Sequence, residues 1–113
     1  MSTRDIGLAA ELIAADFLDK SGYKIIEHGW QNRYGEIDII ALDGDTLVFV
    51  EVKSKSGDRY GEPGEMIIPK KIEKIKKAAY NFIETRMQGV DHWRIDAVLV
   101  KSGECEHLKN ITL

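Results

Sequence analysis

The stretch GEIDIIALDGDTLVFVEVKSK, residues 35 to 55, sets Glu36, Asp38, Glu51 and Lys53 inside two strongly apolar runs. On a strand, side chains two apart point the same way, so Glu36 pairs with Asp38 on one face and Glu51 with Lys53. Gly44-Asp45 suits a two-residue type II′ turn between Asp43 and Thr46. Pairing inward from that turn puts Asp38 opposite Glu51 and Glu36 opposite Lys53, so that all four meet on one face. A turn of odd length would send the two pairs to opposite faces. Directly opposed carboxylates, with Cβ atoms about 5 Å apart, destabilise a sheet. A divalent cation, Mg²⁺ or Mn²⁺, reverses that cost, because hard ions take one or two carboxylates with water and substrate phosphate oxygens. Lys53 would then orient or help deprotonate a water, or neutralise charge on a phosphate under attack. The implied chemistry is phosphodiester hydrolysis. The plainer reading is a solvated ion-pair network worth about 0–1 kcal/mol per pair. Against it stand Ile37, Ile39, Ile40, Val48, Phe49, Val50 and Val52, which imply strands buried on both faces. Buried carboxylates need a partner or a metal.

The remaining chain supplies elements to hold these residues. A serine-to-acid capping signal at Ser2 to Asp5 starts a helix whose apolar stripe is Ile6, Ala10, Ile13 and Phe17, and Gly22 ends it. Residues 23 to 32 read as a strand interrupted by Gly29, followed by the hairpin strands 36–43 and 46–54. The polar, Gly-rich residues 54–66 read as an exposed loop. Ile68, Ile72, Ile75, Ala79, Phe82 and Ile83 have the spacing of a second buried helix face, with Pro69 in its first turn. Residues 93–101 read as a fourth strand, and HLKNITL adds a short fifth. The expectation is one α/β domain over residues 1–113, a mixed four- to five-stranded sheet flanked by two helices in the order α-β-β-β-α-β.

The hairpin, preceded by GLAAELIAADFLDKSGY and followed by a basic helix and RIDAVLV, resembles the YraN-like family of predicted endonucleases, related to archaeal Holliday junction resolvases. The resemblance runs from about Gly7 to Val100. That family is placed in the PD-(D/E)xK nuclease superfamily, which implies a restriction-endonuclease-like core. It implies that Asp38 and Glu51 are acidic metal ligands, that the Val52 carbonyl is a third ligand, and that Lys53 is the catalytic lysine. Glu11 matches the first-helix glutamate that completes the acidic cluster in the resolvase branch, and Glu36 matches the acid of the G-E-I-D signature as an accessory group. The chain departs from the superfamily name in carrying Ile37 before the aspartate, and from relatives in Gly29 and Gln31. The implied activity is that of a Mg²⁺- or Mn²⁺-dependent endodeoxyribonuclease acting on branched or single-stranded DNA as a homodimer. Two other readings stand beside it: an inactive nucleic-acid-binding module of the same fold, and a cytosolic interaction protein with a structural acid cluster.

A net charge of −3 gives no global attraction for nucleic acid, so a local basic patch must supply it. Lys70, Lys71, Lys74 and Lys77, with Lys76, outnumber Glu73 on the second helix and suit phosphate tracking. Lys55 and Arg59 in the loop are further phosphate contacts, or the loop merely connects. Tyr60 and Trp30 either stack on bases or fill the core rim. His28, His92 and His107 lack zinc-ligand spacing, and Arg94 with Asp96 reads as a structural ion pair. The absence of G-x-x-x-x-G-K-[ST] leaves nucleotide-triphosphate hydrolysis unsupported. A lone cysteine, Cys105, no signal-peptide pattern and no apolar run near 20 residues point to the cytoplasm and away from a membrane.

Overall fold

The first helix, α1 (Thr3–Lys20), stops where glycine permits a left-handed residue. Gly22 has φ 95°, the Tyr23 N–H donates to the Leu18 carbonyl at 3.0 Å, and the Gly22 N–H donates to that of Asp19 at 3.0 Å. This Schellman closure turns the chain into β1 (Lys24–Asn32). Then follow β2 (Gly35–Asp43), β3 (Thr46–Lys55), α2 (Pro69–Arg86), β4 (Trp93–Lys101) and β5 (Glu104–Leu108). The computed structural model describes residues 3–55 and 69–112, with the side chains of Thr3 and Lys55 left aside. Arg59, Tyr60, Ile68 and most of the expected loop lie outside the described residues, whereas Ser54 and Lys55 continue β3.

The five strands lie in sequence order, all antiparallel to their neighbours except β3 and β4, which are parallel. Helix α2 is the crossover that a parallel pair requires. The sheet is thus mixed, with one helix on each face. Ala10, Ala14 and Leu18 of α1 pack on Ile39, Ala41, Val48, Val50 and Val98. Ile72, Ile75, Ala79 and Phe82 of α2 pack on Ile37, Ile40, Leu47, Phe49 and Ile95. Burial on both faces explains why β3 and β4 read as nearly continuous apolar runs.

Two expectations need correcting. The buried stripe of α1 is Ala10, Ala14, Ala15 and Leu18, with Phe17 partly buried, while Ile6 and Ile13 are exposed. Small residues face the sheet because they let the helix sit close to it. The fifth strand is Glu104–Leu108, not 107–113, because Ser102 (φ 53°) and Gly103 (φ 77°) form a two-residue turn that pairs Lys101 with Glu104. The following tail is tied to β4 instead: Ile111 N–H donates to the Ile95 carbonyl at 2.7 Å, and Ile95 N–H donates to Thr112 Oγ1 at 2.7 Å.

Candidate functional site

The hairpin turn sets the register. Gly44 has φ 59° while Asp45 does not adopt a positive φ, as a type II′ turn requires, and Asp43 pairs with Thr46. The ladder continues inward to Ile39 opposite Val50 and ends there. One residue further, Asp38 Oδ2 accepts the Val52 N–H at 2.8 Å. A side-chain carboxylate has taken the position of a main-chain acceptor, so β3 keeps its hydrogen bond while the two strands part.

The other edge of β2 is irregular at the same place. His28 pairs with Ile39 and Trp30 with Ile37, but Gly29 and Asp38, which lie between, do not pair. Gly29 has φ 56°, a left-handed conformation that a side chain would strain. Strict alternation fails here. Ile37 and Ile40 pack in the α2 core, Ile39 packs in the α1 core, and Asp38 lies beside Glu11 of α1. Asp38 and Ile39 therefore both address the α1 layer.

Ligand oxygens of Glu11, Glu36 and Asp38 all lie within 4.8 Å of one another. They border an open cleft of about 430 Å³ together with Arg4, Gly7, Leu8, Gln31 and Val52. Glu11 is there because it follows the buried face of its helix, three residues before Ala14 and seven before Leu18. Its Oε1 is buried without a hydrogen-bond partner. Glu51, only 4% exposed, belongs to the same electrostatic cluster but is held differently. Its Oε1 lies 3.5 Å from Lys53 Nζ and 3.7 Å from Lys71 Nζ. The expected single face of four is therefore not formed: Glu36 and Asp38 gather with Glu11, Glu51 and Lys53 lie toward Lys71 of α2, and Asp38 and Glu51 feel each other's charge across the splay.

Burial, then the charge on Asp38 and a hydrogen bond shared with it, then Glu36 and Glu51, push the Glu11 carboxyl up to about 7. Burial and the Asp38 charge push Glu51 up to about 7, while Lys71 and Lys53 pull against that rise. Asp38 is raised, chiefly by burial, against the opposing Val52 N–H. These shifts describe an acidic cluster short of positive charge.

Of the other expected residues, Lys70, Lys74 and Lys77 are exposed on α2, whereas Lys71 turns inward to Glu51. Periodicity contained that signal, since Lys71 precedes Ile75 by four residues and Ala78 by seven, placing it on the buried stripe. The backbone N–H of Val52 is engaged by Asp38, and Val52 lines the cleft. Lys55's side chain and Arg59 fall outside the described residues. Trp30 fills the core rim, edge-on to Phe82 at 5.0 Å, with the Arg86 guanidinium over its ring. His107 is structural, its Nε2 2.7 Å from Asp96 Oδ2, and Arg94 pairs with Asp96 as expected.

Residues 10–100 match the model of a family described as Uncharacterised protein family UPF0102. The chain belongs to this family. It is the YraN family that the hairpin residues resembled. A UPF0102 protein of Helicobacter hepaticus is 42% identical over 113 residues, covering 100% of this chain and 99% of the relative. One from Syntrophomonas wolfei is 40% identical over 103 residues, with 89% and 90% covered. One from Syntrophus aciditrophicus is 44% identical over 94 residues, with 83% and 74% covered. No described helix of this UPF0102 member is long and apolar enough to cross a membrane.

Proposed function

We propose that this chain is a metal-dependent endodeoxyribonuclease whose centre is the splay between β2 and β3. The observation that carries the reading is the buried, unpartnered Glu11 oxygen in a set of three carboxylates, beside a fourth held by two ammonium groups. Three close carboxylates with a spare oxygen fit a hard divalent cation, whose charge would relieve the repulsion that lifts Glu11 and Glu51. Asp38, with Glu11 and Glu36 beside it, would hold Mg²⁺ or Mn²⁺, and Glu51 and the Val52 carbonyl, the ligands that the resemblance implies, would complete the set from β3. When bound, such an ion supplies Lewis acidity toward a phosphate oxygen and toward water.

The chain's own groups do the rest. The Val52 N–H fixes Asp38, so the two strands present their acids at a set separation. Lys53 orients the attacking water or neutralises charge on the phosphate, and Lys71 from α2 adds a second positive group on Glu51. Exposed Lys70, Lys74 and Lys77 give the phosphate backbone an approach that the net charge does not. Branched or single-stranded DNA is the proposed substrate. A homodimer would set two such centres against two strands, and sedimentation velocity finding only monomer excludes that part.

The test incubates pure protein with single-stranded, duplex, flapped and four-way DNA in Mg²⁺, Mn²⁺ or EDTA. Asp38→Asn and Lys53→Ala are expected to lower cleavage at least about a hundredfold. Equal cleavage by wild type and both variants on every substrate sinks the reading. Salt-sensitive DNA retention without cleavage by wild type would leave a binding module in its place.

A further inference from the structure

On the α2 side of the sheet lies a second cleft, of about 350 Å³, lined by Tyr34, Lys77, Tyr80, Asn81 and Glu84. Tyr34 is 37% and Tyr80 53% exposed, among the few large apolar side chains so open outside α1. Each is braced from one side. The Arg33 guanidinium sits 4.9 Å from the Tyr34 ring centroid and donates to its hydroxyl at 2.6 Å. Tyr80 packs edge-on against Trp93 at 5.3 Å.

One amide ties the two walls together. Asn32 Nδ2 donates to the Ala78 carbonyl at 3.2 Å and to Asn81 Oδ1 at 3.3 Å, both on α2. Its Oδ1 accepts the Tyr34 N–H at 2.9 Å. The turn carrying Tyr34 is thereby fastened to the helix carrying Tyr80, and the cleft between the rings is built into the fold. Lys77 lies one turn before Tyr80, and Lys70, Lys74 and Lys77 follow at helical spacing toward Lys71 and Glu51. Glu84 closes the far end, so the positive end of the cleft is the one nearer the carboxylates.

Rings with a free face beside a row of ammonium groups are what an unpaired nucleic-acid strand requires, since every base has a face to stack and every linkage a phosphate. We propose that this cleft holds unpaired bases of the substrate on Tyr34 and Tyr80, with the backbone following Lys70, Lys74 and Lys77. The proposal rests on nucleic acid being the substrate and narrows it to one with a single-stranded segment. Helix α2 advances about 1.5 Å per residue, so Tyr80 lies about 13 Å beyond Lys71. A stacked strand at about 3.4 Å per nucleotide spans that in about four nucleotides.

The test is fluorescence anisotropy of labelled oligothymidylate in EDTA, where binding is read without cleavage. Tyr34→Ala and Tyr80→Ala should each weaken single-strand binding about tenfold, and Tyr→Phe by no more than about twofold. Lys77→Ala should lower the salt dependence by about one phosphate contact. A blunt hairpin duplex should be insensitive to the tyrosine changes. Alanine variants that bind as wild type, or lose the single strand and the duplex alike, overturn the proposal. So does wild type that does not bind the oligomer.

Photocrosslinking of wild type to a bromodeoxyuridine oligomer covers the case of an alanine variant that fails to fold. Adducts on Tyr34 or Tyr80 support the cleft, and adducts only elsewhere overturn it. Ribo- and deoxy-oligomers run in parallel separate RNA from DNA as the source of the strand. Cleft binding with no cleavage by any enzyme form sinks the nuclease reading alone, and cleavage with tyrosine-independent binding sinks the cleft alone.

Discussion

Two buried acidic sites, built on the same sheet, treat their charge in opposite ways. Asp96, 0% exposed, is satisfied on every side. Arg94 Nε donates to its Oδ1 at 2.9 Å, Asn110 N–H donates to the same oxygen at 2.8 Å, and His107 Nε2 lies 2.7 Å from Oδ2. Arg94 in turn donates to the Tyr23 hydroxyl and to Asp43. At the β2–β3 splay, Glu11 keeps a buried oxygen without a partner, and like charges face one another. The contrast is between a site closed by its own donors and one that leaves carboxylates short of positive charge, the feature on which the proposed cation site rests.

That contrast can be broken in order of expected effect. Asp96→Ala should cost about 3 kcal/mol, because a buried ion pair loses one member. The melting temperature should then fall by more than about 10 °C, with cleavage per folded molecule unchanged. A small thermal shift, or lost cleavage in the folded fraction, would erase the distinction. Glu51→Gln should do the reverse, lowering cleavage at least about a hundredfold while calorimetry finds the fold retained. Lys71→Met should lower cleavage about five- to tenfold, a modest effect because its side chain is 40% exposed and solvent screens it. No change there would return Lys71 to the general basic surface.

The smallest effect is on pH. Glu11 and Glu51 are lifted from 4.5 to about 7 in the folded chain, so between those values the folded state binds more protons than the unfolded. Stability in EDTA should therefore fall as pH rises from about 4.5 to 7 and level off above. Glu11→Gln should reduce that fall, and Mg²⁺ or Mn²⁺ should offset it at pH 8. Melting curves in EDTA that climb steadily across this range would mean the cluster is not short of positive charge.

Much of this was legible in the residues themselves. The Gly44-Asp45 turn fixed the register, and two-faced apolar runs announced the two helical layers. Glu11 stood out through the family resemblance, since its spacing to Ala14 and Leu18 alone suits a solvated edge residue equally well. The splay was not, because alternation rules assume a regular strand. Gly29 and Asp38 interrupt β1 and β2 together, and only three-dimensional pairing reveals that a side chain has replaced a carbonyl. The inner face of α1 is hidden in the sequence because its alanines contribute little hydrophobicity, while the large Ile6, Leu12 and Ile13 stay exposed. The Ser102-Gly103 turn gives no hairpin signal in the sequence, because its flanks, Lys101 and Glu104, are charged.

The bond from Val52 to Asp38 has one more implication. Glu51 and Lys53 are the immediate chain neighbours of the residue that Asp38 grips. A single oxygen therefore gauges the spacing between the two halves of the cluster. Truncating Asp38 would remove a charge and also slacken the rail on which Glu51 and Lys53 ride, whereas asparagine would keep the rail taut and cancel only the charge.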